Sequence, residues 1–409
     1  MCVLFLVNGF VGATWAARLP AVQEDTGASL QAVGLIMFAA AVGSIFGLGI
    51  GPLLLNRFGA RISLAVTFVL FLAGMLFAAL SSTLAGSLPL IAIGLFIWGF
   101  HVGAADVVVN MEAATVEQRS GKTLMPLMHA FFSFGTVIGA LTGSAAAVAH
   151  WTVSTNLGVV IVLGALLLAW ALPGIPLRHE LSHDGSNQRM SSAERMRHNL
   201  RAWGSLSVLL IGVGVLANGV AEGAANDWLA IGAVTGHGQS QATGAFLFAM
   251  FVSGMTLMRL VGGPLVDRWG RVVMLRCSAL AALLGVALFI WGSGFWVLVL
   301  ATVLWGIGVA LGFPLGMSAA ADHPQGAARV SVVSTLGYGA FLIGPPGLGF
   351  LGQHFGILEA LIVLLALLVV AILVAGASRE RSGPHAKNGR ASKPSDPSHP
   401  LADEPTLPL

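Results

Sequence analysis

The sequence predicts an all-α polytopic membrane protein of twelve transmembrane helices, arranged as two pseudo-symmetric six-helix bundles. Three observations lead there. Of the 409 residues, 56% are hydrophobic and only 9% charged, against about 25% charged in soluble domains. Apolar stretches of the roughly 20 residues needed to cross a bilayer recur twelve times along the chain. The second six stretches also repeat short motifs of the first six, and parallel six-helix repeats are one way in which membrane proteins are built.

In chain order, span one (about 2–18) holds VNGFVGATW, with Asn8 and Trp15. Span two (29–55) runs into the loop GPLLLNRFGAR at 51–61, and span three (62–81) follows. Span four (87–111) is greasy as far as WGF at 98–100, then turns polar in HVGAADVVVN. Span five (124–149) carries His129, and span six (153–173) has Asn156 as its one strong polar amide. A polar segment at 176–203, with five arginines, separates the halves. Span seven (204–225) echoes span one in ANGVAEGAANDW, and span eight (241–265) runs into GPLVDRWGR at 263–271. Span nine (272–292) is apolar, and span ten (295–318) has WGI at 305–307 as the counterpart of WGF. Pro314 in span ten and Pro345 in span eleven (328–352) are expected to kink their helices. Span twelve (356–377) has Glu359 near its start. The domains that follow are residues 1–175, a linker at 176–203, residues 204–377, and a tail at 378–409 whose Pro, Ser and charge read as disordered.

Lysine and arginine fall in the even-to-odd loops, the central segment and the tail; Arg18 and Arg259 fall elsewhere. Positive residues mark the cytoplasmic side, so the linker and tail are expected inside a bacterial inner membrane. The first span starts almost at Met1 with no basic segment or cleavage site, so no signal peptide is expected. Glycine, at 53 residues, suits close helix packing. Cys2 and Cys277 lie far apart in apolar segments and suggest neither a disulfide nor a metal site.

Gly263, Asp267, Arg268, Gly270 and Arg271 fit the pattern G-x-x-x-D-R-x-G-R. On that signature the chain resembles the major facilitator superfamily, over all twelve spans. The first-half copy has Asn56 in place of the aspartate, with Arg57 and Arg61, and lies one residue further from its leading Gly51. DVVVN (106–110) followed by GKTLMPLMHAFFSFG (121–135) resembles the fucose–proton symporter-like branch, closest to its bacterial YbjJ-like inner-membrane group. ARLPAV (17–22) and EGAANDW (222–228) fit that group too. The resemblance implies that spans one, four, seven and ten line a cavity, with three, six, nine and twelve as outer scaffold. It also implies that an acid at the position of Asp106 takes part in proton-coupled sugar transport. A second acid of that branch aligns near Ala16, and span one here has none.

The polar residues test this layout independently, since groups that avoid lipid collect around a wet interior. A carboxylate at mid-membrane costs about 2.5–3.5 kcal/mol on insertion scales, so Asp106 needs compensation. Asn110 shares its helix face, four residues on, while His101 lies about 140° round the helix. Asp106 and His129 sit at similar depths, roughly 13 and 10 Å, and are expected to meet directly or through water. Either Asp106 couples protons or contacts solute, or it holds spans four and five together structurally. Glu222 and Asn218 share a face of span seven, and Asp227 with Trp228 is expected at the outer interface. Arg259 lies about 12 Å from the loop after span eight and suits a carboxylate partner or an anionic solute.

The proton-coupling candidates are therefore Asp106, Glu222 and His129. The cavity candidates are Asn8, Trp15, His101, Asn110, Asn218, Asn226, Trp305 and Tyr338. Asn56, Arg57, Arg61, Asp267, Arg268 and Arg271 are expected to latch one conformation, with Arg259 as an intramembrane charge. The expected activity is secondary active transport of a small sugar-like or other polar solute by proton symport, with a proton-driven efflux antiporter as the alternative. No enzymatic or ATP-hydrolysing motif is present. The expected partners are a small solute, protons and the bilayer, with no nucleic acid, cofactor or metal, and the chain is expected to act as a monomer.

Overall fold

A computed structural model describes residues 1–120, 124–175, 203–322 and 326–379. The linker expected at 176–203 lies outside the described residues except for Trp203, as does the tail beyond 379. Among the described residues every element is helical.

Span one is a pair of helices, Cys2–Ala17 and Leu19–Thr26, bent by 47° at Arg18. Spans two and three form a single run, Leu30–Leu80, broken at Gly59. Spans four, five and six are Leu88–Ser120, Met125–Val148 and Val153–Ala171. Spans seven, eight and nine are Leu206–Ile231, Gln241–Trp269 and Arg271–Trp291. Span ten is split into Phe295–Val309 and Gly312–Ala321, span eleven is Gly326–Phe355, and span twelve is Ile357–Ala360 with Ile362–Val374. Nine helices among the described residues are long and apolar enough to cross a membrane, or up to ten if the bent pair counts as one span. One of the nine contains both spans two and three. Span eleven, a 30-residue helix with two prolines, is less apolar than that set. All twelve expected spans are thus present as helices.

Local chemistry explains several of the boundaries. Spans two, six and eight start at Ser29, Thr152 and Ser240, whose hydroxyls accept the amide three residues on at 3.1–3.2 Å, which satisfies an otherwise orphaned donor. The loops after spans two and eight turn at Gly59 (φ 77°) and Gly270 (φ 81°), left-handed backbone that glycine adopts without a Cβ penalty. The break in span ten falls at residues 310–311, four and three residues before Pro314, whose ring excludes the carbonyl one turn back. Pro345, by contrast, sits within an unbroken helix, so the kink expected there does not interrupt span eleven.

Each half packs on itself through glycine. A Cβ on Gly43 or Gly47 of span two would strike the backbone of Phe96 or Phe100 in span four, and one on Gly135 or Gly139 of span five would strike span one. The halves meet where span two packs on span eleven and span five on span eight. Three hydrogen bonds between the halves lie at the end away from Arg57, Arg61, Arg268 and Arg271. The Leu30 amide donates to Gln353 Oε1 at 3.1 Å, Ser144 Oγ to the Ala242 carbonyl at 3.0 Å, and Gln241 Nε2 to Glu24. This end is closed. The arginine-bearing basic end is entered by a wide vestibule. On the outer faces, large apolar side chains such as Leu166, Trp170 and Leu373 are exposed, as lipid contact requires.

Candidate functional site

Two connected cavities occupy the space between the halves. A central chamber of about 420 Å³ lies toward the closed end, and a vestibule of about 840 Å³ lies toward the basic end. Asn8, Asp106, Phe132 and Arg259 line both and so stand at their junction. Among the described residues, none that lines either cavity comes from spans three, six, nine or twelve.

Asp106 is exposed in this space. It is carried by span four, which glycine lets pass close to span two, so that the polar face after Trp98 turns inward. Asn110, one turn on, donates from Nδ2 to Asp106 Oδ1 at 2.9 Å and to the Asp106 carbonyl at 2.7 Å. His129, also exposed, lines the same vestibule and packs edge-on against Phe5, with ring centroids 4.9 Å apart. No hydrogen bond joins Asp106 and His129 among the described residues, although each lies within range of the other's charge.

The second half places its acid differently. Glu222 Oε1 accepts from Arg259 Nη2 at 3.0 Å, an ion pair between spans seven and eight whose side chains are 17% and 29% exposed. The pair faces the chamber, so Arg259 has its carboxylate partner within its own half. Asn226 lines the chamber and donates to the Glu222 carbonyl at 3.1 Å. Asp227, next to it, lines the chamber as well. This corrects the expectation that Asp227 and Trp228 sit at the outer interface: the helix continues to Ile231, and Trp228 is fully buried.

Several other candidates lie away from the cavity. His101 is completely buried on the scaffold side, stacked on Phe71 of span three at 4.5 Å and edge-on to Phe68 at 4.6 Å. Its position about 140° from Asp106 turns it toward span three. Trp305 is also completely buried, and its Nε1 donates to the Ala221 carbonyl at 3.1 Å. Asn218 is 6% exposed, donates to the Gly214 carbonyl at 2.9 Å, and packs against Gly312 at the break in span ten. Tyr338 is half-buried and lies edge-on to Phe313, a vestibule residue, at 6.5 Å. Trp15 does line the chamber, although it is 1% exposed. Trp98 lines it too. The aliphatic and phenyl walls carry no sequence signal that sets them apart from ordinary span residues.

The loop residues divide the same way. Arg61 donates to the carbonyls of Ile175 and Pro173, the latter at 2.7 Å, at the end of span six. Arg271 donates to Asp322 Oδ2 at 2.7 Å, to Ser318 Oγ at 3.1 Å and to the Ser378 carbonyl at 3.5 Å, at the ends of spans ten and twelve. Arg57 lies over Phe58 at 5.7 Å and Arg268 over Trp269 at 5.8 Å. Asn56 and Asp267 are exposed, and Asp267 lines the vestibule. No bond joins Asp267 to Arg268 or Arg271 among the described residues in this conformation.

This architecture has counterparts among known proteins. The family profile of the Major Facilitator Superfamily matches residues 1–236 and 211–405. The chain belongs to the major facilitator superfamily. Curated superfamily relatives include the uncharacterised transporter y4wD of Sinorhizobium fredii, 31% identical over 88% of this chain and 95% of its own length. The membrane protein MosC of Rhizobium meliloti is 26% identical over 93% and 89%. Among solved structures, a nucleoside transporter superposes with a TM-score of 0.76 at 15% identity, covering 92% of this chain and 97% of its own. A D-xylose–proton symporter superposes at 0.72 with 16% identity, covering 92% and 95%. At these identities the likeness to solved structures shows the fold alone; that the chain is a multi-pass membrane transporter rests on the family match and on the relatives.

Proposed function

We propose that the chain is a secondary active transporter that moves a small polar solute together with protons by alternating access, with Asp106 as the coupling acid. The observation that carries this reading is the position of Asp106. It stands at the junction of chamber and vestibule, exposed to the cavity, with a neutral amide from Asn110 as its hydrogen-bond partner. A carboxylate so placed can take a proton while the cavity faces outward and release it to vestibule water when the cavity faces inward. Positive loop residues mark the basic end as cytoplasmic, so the conformation is inward-facing. Placement in a bacterial inner membrane, with the linker and tail inside, belongs to the same reading. So do the two domains at 1–175 and 204–377, and membership of the fucose–proton symporter-like branch and its YbjJ-like group. The relatives from Sinorhizobium and Rhizobium and the proton-symporter fold support it.

The test uses proteoliposomes with and without an imposed proton gradient. Asp106→Asn is held permanently neutral, so it is expected to abolish accumulation against a concentration gradient while retaining solute exchange. Uphill uptake by Asp106→Asn with wild-type pH dependence would show that Asp106 is not the coupling acid. Glu222 would then take its place, and Asn110 would be read as a structural partner.

A further inference from the structure

At the closed end, spans two and eleven meet along one stripe of each. On span two the stripe is Leu30 and Gly34, and on span eleven it is Pro345, Gly349 and Gln353. Each is four residues from the next, which keeps them on one helix face. A Cβ on Gly34 would lie 2.5 Å from the Pro345 carbonyl oxygen and 3.2 Å from the Pro346 Cα. A Cβ on Gly349 would lie 2.7 Å from the Leu30 carbonyl oxygen and 3.2 Å from the Gly34 Cα. Two backbones thus touch across the boundary between the halves, at a separation that admits no side chain. Pro345 also lines the chamber, as does Met37, one turn on from Gly34. The contact is therefore part of the chamber's roof on the closed side.

The same stripe carries an interaction of a different kind. Leu30 is the first residue of its helix, and the first N–H groups of a helix have no acceptor within it. Ser29 Oγ serves the Ala32 amide. The Leu30 amide is served from the other half, by Gln353 Oε1 at 3.1 Å. Span eleven thus holds both backbone groups of Leu30, the carbonyl against Gly349 and the amide on Gln353. These contacts differ from the glycine contacts inside a half. Gly43 and Gly47 touch span four of their own half, whereas the three atoms nearest a Cβ on Gly34 all belong to span eleven. A side chain at Gly34 can therefore be accommodated by parting the halves, without unpacking either one.

We propose that this stripe is the outer gate, with Gly34 and Gly349 as its seat and the Gln353 cap on span two as its latch. The seat decides whether the end can close, and the latch biases how often it does. All its groups are uncharged, in contrast to the arginine-bearing end. The inference rests on the alternating-access reading, but not on the identity of the solute or on what drives transport.

The experiment measures distances between spin labels on the full-length protein in proteoliposomes, with Cys2 and Cys277 replaced by serine. Leu84→Cys and Trp296→Cys, exposed residues on opposite halves, carry the labels at the closed end. Gly34→Val is expected to raise the population of the longer distance about tenfold or more, the equivalent of an overpacking cost, while the protein stays folded by size-exclusion chromatography. Gly347→Val on the same helix, where a Cβ meets nothing within 4 Å, is expected to leave the distribution unchanged. Gln353→Leu removes the acceptor and is expected to favour the open end about two- to tenfold. Gln353→Glu sets a carboxylate on a helix N-terminus and is expected to favour the closed end about two- to fivefold, less at high salt. Opposite shifts from one position are not what a merely structural glutamine would give. The proposal is overturned if Gly34→Val keeps the wild-type distances, or if the two Gln353 variants shift the same way or not at all. Where Gly34→Val does not fold, Gly34→Ala decides: it is expected to fold and to shift in the same direction, and failure of either overturns the proposal. A second label pair across the basic end scores alternating access separately. Opposed changes at the two ends of the wild type, with Gly34→Val unshifted, leave alternating access standing and remove the gate. An opened outer end in Gly34→Val with the basic end unchanged supports the gate and removes the coupling between the ends.

Discussion

Span four and span ten occupy equivalent places in the two halves, and they divide into residues that repeat and residues that do not. Trp98-Gly99-Phe100 matches Trp305-Gly306-Ile307. The two glycines do the same work: a Cβ on Gly99 would strike the Ala40 carbonyl of span two, and one on Gly306 the Phe251 carbonyl of span eight. The tryptophans already differ, Trp98 lining the chamber and Trp305 donating to the Ala221 carbonyl. Where span four has Asp106, span ten has Phe313, and where it has His101, span ten has Gly308, packed against Ala282 of span nine. Spans one and seven show the opposite bias, with Glu222 and Asp227 on the second-half copy. What repeats builds the scaffold, and what differs builds the site.

That division is most severely tested at the glycines. Gly99→Val and Gly306→Val each drive a branched side chain into a backbone carbonyl. Both are expected to lose about 3 kcal/mol or more of stability, the upper end of overpacking costs, and to leave little folded protein in detergent by size-exclusion chromatography and thermal melting. Equivalence between the halves requires similar losses. If Gly306→Val melts like wild type while Gly99→Val does not fold, the two crossings are not doing the same work.

Two of the acids facing the cavity, Glu222 and Asp106, offer a sharper comparison with a smaller effect. Glu222 shares an ion pair that is largely shielded from water, whereas Asp106 has an amide for its partner. Removing one member of a buried pair leaves the other unpaired and costs about 3–5 kcal/mol; partial exposure to a wet cavity reduces this to about 2 kcal/mol here. Glu222→Gln is therefore expected to lower the melting temperature clearly, and Arg259→Gln on top of it to recover part of the loss. Asp106→Asn is expected to change stability by less than about 0.5 kcal/mol. A double-mutant cycle that finds no coupling between Glu222 and Arg259 would break the contrast between a locked acid and a free one.

Much of this was legible in the sequence, and the part that was not has a physical reason. Apolar length and the repeated loops located all twelve helices, because the bilayer demands long apolar segments with internally satisfied backbone. Asp106, Asn110, His129 and Arg259 were found as polar groups among apolar ones, and each lines a cavity. Hydropathy placed the end of span seven at 225, but the helix runs to Ile231. A polar Asn-Asp pair near a helix end looks like an exit to water, and here Asp227 instead lines the chamber. Trp305 and Tyr338 were read by residue type alone, and type does not tell which neighbour a side chain faces. Helical phase did separate His101 from Asp106, but phase alone does not say which side is wet.

The smallest expected effect concerns the two loop copies. Both turn at a left-handed glycine, both lay an arginine over the next aromatic ring, and both use their last arginine to hold a carbonyl at the end of the sixth helix of their own half. They differ at one charge, Asn56 against Asp267. Arg271 is engaged by Asp322 and Ser318, and Arg268 lies over Trp269, so Asp267 is left facing the vestibule in the conformation that opens there. When the vestibule closes, that carboxylate is the one the loop can offer to the other half. Asp267→Asn makes the second copy resemble the first. Exposed pairs contribute about 0.2–1 kcal/mol, so the variant is expected to shift the balance between the two facing states by no more than about fivefold. Distances between spin labels across the basic end would report the shift. Solute affinity in the chamber is expected to stay within about twofold, since Asp267 lines the vestibule and not the chamber. A tenfold loss of affinity with unchanged populations would place Asp267 in the binding site and remove the distinction between loop and chamber.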